Sequence, residues 1–243
     1  MKIFVCSDIH ANLRALEAVL EAYRSFYPCR FLFLGDCIGY GAHPDECLDG
    51  ILQLHDALYV MGNHEQALLE SRRRADMSEF AAAALNWSER LLEGRYDEAI
   101  RERFQMTVVN DIFCAVHASP DAPDDWNYLY SVYGARQAFL SRDFRLCFVG
   151  HTHIPALFTE GSDRLFVEEG TLLRMEEGAR YIVNPGSVGQ PRDGNPKASF
   201  CVYDPVEDTI SFQRREYDAA SEARDIIDAG LPRYLGERIV EGY

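Results

Sequence analysis

Eight residues of this chain could do chemistry together: Asp8, His10, Asp36, Asn63, His64, His117, His151 and His153. They include five of its seven histidines. Each sits at or just past the end of a short apolar run, as in Val149-Gly150-His151-Thr152-His153. Their donors are oxygen and imidazole, without thiolate. That set suits borderline to hard divalent ions such as Mn, Fe, Co, Ni or Zn. His151 and His153 are two residues apart, so in extended backbone both would point to one side. There they could reach two ions, or one ion from two directions. Two ions about 3.5–4 Å apart need a bridging ligand, and a carboxylate such as Asp36, behind Gly35, suits that task. Such a pair of ions acidifies a shared water and clamps a phosphoryl oxygen for in-line attack.

The elements that must position these residues follow from hydrophobic period. Lys2–Cys6, Phe31–Leu34 and Ala57–Val60 read as strands. Between them lie a helix that Asn12 can cap, with Leu13, Leu16, Leu20 and Tyr23 on one face, and a helix from Pro44 to Leu54. This βαβαβ rhythm implies a mainly parallel sheet, whose strand ends are where sites form. Residues 66–105 break the rhythm. They read as a helical insertion, with Ala81–Leu92 amphipathic and Gly94 as its C-cap. The sheet resumes at Thr107–Val109 and Ile112–Val116, and Leu146–Val149 is another strand. A helix covers Tyr133–Ser141. Ala156–Phe158, Leu165–Val167, Tyr181–Val183, Ser199–Tyr203 and Thr209–Phe212 are short strands joined by tight turns such as Glu160-Gly161-Ser162-Asp163. They suggest a second, antiparallel sheet, closed by a helix over Tyr217–Ala229. One domain over residues 1–243 is expected.

Bulk properties narrow the function classes. Net charge is −15, from 24 basic and 39 acidic residues. With no polybasic run, stable binding to a nucleic-acid backbone is not expected. So acidic a chain disfavours polyanionic partners unless a cation bridges them. No apolar stretch is long enough to span a membrane, and the first residues lack a secretory h-region. Seven scattered cysteines without a CxxC pair predict a reducing cytoplasm.

The ordered set Asp8-x-His10, Gly35-Asp36, Gly62-Asn63-His64-Glu65, His117 and Gly150-His151-Thr152-His153 resembles the calcineurin-like metallophosphoesterases. The stretch from Asn184 to Arg192 is similar to a subfamily of small bacterial and archaeal phosphoesterases. The resemblance implies an α/β fold, a four-layer α/β/β/α sandwich of two mixed sheets flanked by helices. It implies two divalent ions, with manganese favoured. Asp8, His10, Asp36 and His153 would hold the first, and Asp36, Asn63, His117 and His151 the second. A metal-bridging hydroxide would attack the phosphorus of a phosphodiester, nucleotide or dinucleoside polyphosphate. His64 would assist the leaving group, or stabilise the phosphoryl oxygens.

One departure matters. Serine/threonine protein phosphatases of this superfamily carry Gly-Asp-x-Val-Asp-Arg-Gly after strand two, whereas this chain has Gly39 and Tyr40 at the Asp and Arg positions. A protein phosphatase is therefore disfavoured. A non-catalytic scaffold on the same fold is disfavoured by the retained His64. Arg192, Asn12 and Tyr40 are candidate substrate contacts, Asn12 being foremost a helix cap. For Trp126 and Tyr128 packing is expected, and His43 and His55 have no assigned role.

Overall fold

Side chains alternate along β1 (Lys2–Cys6), and the alternation sorts them into two cores. Phe4 and Cys6 pack with Phe31 and Phe33 of β2 (Cys29–Phe33) beneath α1 (Leu13–Ser25) and α2 (Pro44–Leu52). Ile3 and Val5 join Leu32, Leu34 and Val60 and meet the second sheet through Phe148, Leu157 and Val183. Burying each such side chain contributes about 1.5–3 kcal/mol. The molecule is thus two sheets face to face with helices outside. The computed structural model describes residues 1–162 and 164–243, with side chains outside 164–166.

In the first sheet β1, β2, β3 (Leu58–Val60) and β4 (Phe104–Gln105) run parallel. On the other side β12 (Ala198–Asp204) pairs antiparallel with β1, followed by β13 (Thr209–Arg215) and β10 (Leu172–Arg174). The second sheet has the order β5 (Val108–Val109), β6 (Cys114–Ala115), β7 (Leu146–Phe148), β11 (Tyr181–Asn184), β8 (Ala156–Thr159), β9 (Arg164–Phe166). Its β6, β7 and β11 are parallel neighbours. On its outer face Cys147 and Ile182 pack against Ala138 and Phe139 of α6 (Val132–Ser141).

Three expectations change. The strands at 107–116 and 146–149 belong to the second sheet and do not continue the first. The last two strands return to the first sheet beside β1 instead of completing the second. β12 is buried along nearly its whole length, which an edge or single-faced strand would not permit. The chain also closes with two helices, α7 (Ala219–Asp228) and α8 (Arg233–Glu241), where one was expected. Asp163 of the expected 160–163 turn lies outside the described residues.

The expected insertion consists of α3 (Asn63–Leu69), a 3-10 turn (Ser71–Asp76), α4 (Glu79–Leu92) and α5 (Asp97–Arg103). Leu85, Leu92 and Ile100 enter the same core as Phe4 and Phe33. Glu93, in left-handed backbone at φ 49°, caps α4 one residue before the expected Gly94. Among the described residues no helix is long and apolar enough to cross a membrane.

Candidate metal centre and active site

The parallel strands β1, β2, β3, β6 and β7 all deliver polar residues at their carboxyl ends. There the backbone turns sharply. Asp8, His10, Asp36, His151 and His153 have φ between 51° and 65°, a region non-glycine residues seldom occupy. Strain of about 1–3 kcal/mol per residue is thus concentrated at one spot. His151 and His153 are therefore not in extended backbone, as their spacing suggested. They also turn apart, His151 toward His117 and His153 toward His10.

Backbone carbonyls set the imidazoles. His10 Nδ1 donates to Ile38 O at 3.1 Å, His117 Nδ1 to Leu34 O at 2.7 Å, and His153 Nδ1 to Gln190 O at 2.7 Å. With Nδ1 carrying the proton, the neutral rings of His10 and His153 turn their Nε2 lone pairs inward. His10 Nε2 and His153 Nε2 then face each other at 3.1 Å. Asp8 Oδ1 lies 3.3 Å from His153 Nε2, wholly buried and accepting no hydrogen bond. Asn63 Oδ1 is likewise buried and unpartnered. Acceptors crowded together without donors fit a cation, and the residues present fit a divalent metal.

Asp36 stands between the two groups. Its Oδ2 is 3.2 Å from His117 Nε2, 3.8 Å from His10 Nε2 and 4.0 Å from His64 Nε2. Its Oδ1 accepts from the His64 backbone N–H at 2.9 Å. Burial alone would raise both aspartates. The histidines outweigh it and hold Asp8 and Asp36 below the usual carboxylate range. Burial pulls His64 down to about 4 and His151 to about 3. His117 goes the other way, up to about 9, because Asp36 and Asp8 overcome its desolvation.

Glu65 escaped sequence reasoning. It is wholly buried, and its carboxylate accepts from the backbone N–H groups of Asp36 at 2.8 Å, Cys37 at 2.7 Å and Gly62 at 3.1 Å. It clamps the end of β2 to the start of α3, and so fixes Asp36 relative to His64. Burial and then Asp36 push it up to about 7. A glutamate three residues past an N-cap was the available signal.

His64 is buried with no partner for Nδ1. A Cβ on Gly39 would stand 2.1 Å from that nitrogen, and Gly39 has φ +83°. The His64 ring thus fills the position where a side chain on residue 39 would stand, so no orienting carboxylate can come from there. Tyr40 packs its ring edge-on against His10 at 4.7 Å and tilted against His64 at 4.9 Å. Arg192 lies beside His153, its backbone N–H bonding His153 O, and its buried Nε is unpaired. Asn12 caps α1 through Ala15 N, and its amide hydrogens go to Gly189 O and Tyr217 Oη. Both of those hydrogens are used, so Asn12 ties the start of α1 to Gly189 and Tyr217.

A cavity of about 490 Å³ opens beside the centre, between Asn63, His64 and His151 on one side and Arg73, Met77 and Ala81 on the other. The helical insertion therefore forms one wall. Tyr128 lines it too, half-exposed and stacked on His151 at 4.1 Å, which is more than core packing. Trp126 packs against His117 and donates to Gln66 Oε1 at 3.0 Å.

The profile of the calcineurin-like phosphoesterase superfamily domain matches residues 1–208. The chain belongs to that superfamily. An uncharacterized protein of Methanocaldococcus jannaschii is 36% identical over 243 residues, covering 99% of this chain and 98% of that protein. The crystal structure of a metallophosphoesterase from Sphaerobacter thermophilus shares 34% identity and superposes with TM-score 0.89, over 100% of this chain and 99% of that one. A hypothetical protein from Pyrococcus horikoshii, 19% identical, has the same fold at TM-score 0.81, over 100% and 98% of the two chains. In this calcineurin-like phosphoesterase the His and Asp clusters lie where the chain's five sequence blocks converge.

Proposed function

We propose that the protein is a dinuclear metal-dependent phosphoesterase. Asp8, His10, Asp36 and His153 would hold one divalent ion, and Asp36, Asn63, His117 and His151 the other. The contact of His10 Nε2 with His153 Nε2 at 3.1 Å carries this reading, because two lone pairs repel there without a cation. When bound, the ions supply Lewis acidity that activates water and neutralises phosphoryl oxygens, and manganese is the favoured ion.

The protein's own side chains do the rest. His64, neutral at pH 7, offers an N–H to a phosphoryl or leaving-group oxygen. A phosphate dianion beside it would raise its pKa and let it carry a proton to the leaving group. Arg192 Nε is free to bond a phosphoryl oxygen from the His153 side. Tyr40 holds His64 in place and borders the cavity. The cavity's aromatic wall suits a small phosphodiester, nucleotide or dinucleoside polyphosphate. All seven cysteines are buried and unpaired, in keeping with a cytoplasmic setting.

The test is metal analysis followed by assay with mono- and bis-p-nitrophenyl phosphate, a dinucleoside polyphosphate and a phosphopeptide. Metal-dependent turnover of the small esters is expected. Full activity in Asp36→Ala, or no turnover with any divalent ion, would sink the reading.

A further inference from the structure

A second group of ligand-type side chains lies on helices, away from the strand ends. His43 precedes α2, and Glu222 and Asp225 are one turn apart on α7. His43 Nε2 is 3.1 Å from Asp225 Oδ2 and 3.9 Å from Glu222 Oε1. His43 Nδ1 is 3.6 Å from Glu46 Oε1. Glu222 is entirely buried, and its Oε1 has no hydrogen-bond partner. Its Oε2 accepts from Arg14 Nη1 at 2.9 Å, and the same guanidinium bonds Asp225.

The charges do not balance. With His43 neutral, as a metal ligand must be, Glu222 and Asp225 bring two negative charges against the single guanidinium of Arg14. A buried carboxylate oxygen without a donor is costly. Zinc bonds nitrogen and oxygen ligands at about 2.0–2.2 Å in a tetrahedron, so neighbouring ligand atoms lie roughly 3.3 Å apart. The 3.1 and 3.9 Å separations bracket that value. We propose that His43, Glu222 and Asp225 form a third divalent-cation site, of zinc type and structural in role. Water completes the coordination. The ion pins the start of α2 to α7. It thereby steadies the segment before α2, where Gly41 N bonds His10 O and His43 N bonds Ala11 O.

This site stands independently of the strand-end centre, and zinc uptake by the full-length protein separates the two. His43→Gln should take up about one zinc fewer per chain than wild type. In Asp36→Ala, zinc should still raise Tm, and adding His43→Gln should abolish that rise. Equal zinc uptake by wild type and His43→Gln would overturn the proposal, whatever Asp36→Ala does. Failure of the strand-end reading would instead appear as equal uptake by wild type and Asp36→Ala. Arg14 competes with the ion for Asp225, so Arg14→Gln should bind zinc several-fold more tightly. Unchanged or weaker binding there counts against the site.

Discussion

The strand-end centre and the helix-borne cluster around His43 use the same residue types in opposite settings. The first sits on strained loops, three of its imidazoles locked by backbone carbonyls, with no arginine or lysine among the described residues bonded to its carboxylates. The second sits on regular helices and already contains Arg14. A loop held by carbonyls and by Glu65 can force acceptors together, whereas a helix spaces its ligands by its own pitch. Strained acceptor clusters therefore mark chemistry, and a partly neutralised helical cluster marks a staple.

Removing the shared carboxylate should separate the two most sharply. Asp36→Ala should lose metal from the strand-end centre and at least about a thousandfold in kcat/KM, as read by metal content and phosphodiester hydrolysis. His64→Ala should keep its metal and lose about 10²–10⁴-fold in kcat, most for substrates with poor leaving groups. Equal loss for good and poor leaving groups would argue against proton delivery by His64. Gly39→Ala pushes on His64 from behind and strains a positive φ. It should lower kcat by about ten- to a hundredfold with metal content unchanged.

The smallest effect belongs to His43. Its pKa is raised above 6.5, because Asp225, Glu222 and Glu46 overcome its burial. In chelator, its ion pair therefore stabilises the fold fully below about pH 6.5. That contribution is lost as pH rises through the raised value. Denaturation of wild type and His43→Gln should differ by under about 1 kcal/mol at low pH and converge at high pH. A difference that grows with pH would contradict this sign.

Much of the fold could be read from local pattern. β1, α1 and α2 announced themselves by period and caps, and α4 by its apolar face. The sheet membership of β12 and β13 could not, since alternation says which face a residue takes and not which sheet its strand joins. α8 was hidden behind Pro232, which ends one pattern and starts another.

For the site the division is similar. The sequence by itself determined the donor types and their strand-end positions, because both are properties of short segments. It also showed Gly39 at the position where the protein-phosphatase pattern carries an aspartate. Only the tertiary structure decided which histidine meets which. His10 and His153 are 143 residues apart, and Ile38 and Gln190 supply the carbonyls that turn their lone pairs inward. It also decided the left-handed backbone at five of the site residues and the role of Glu65. Both depend on loops from several strands being fastened together, a constraint that no single stretch of chain contains.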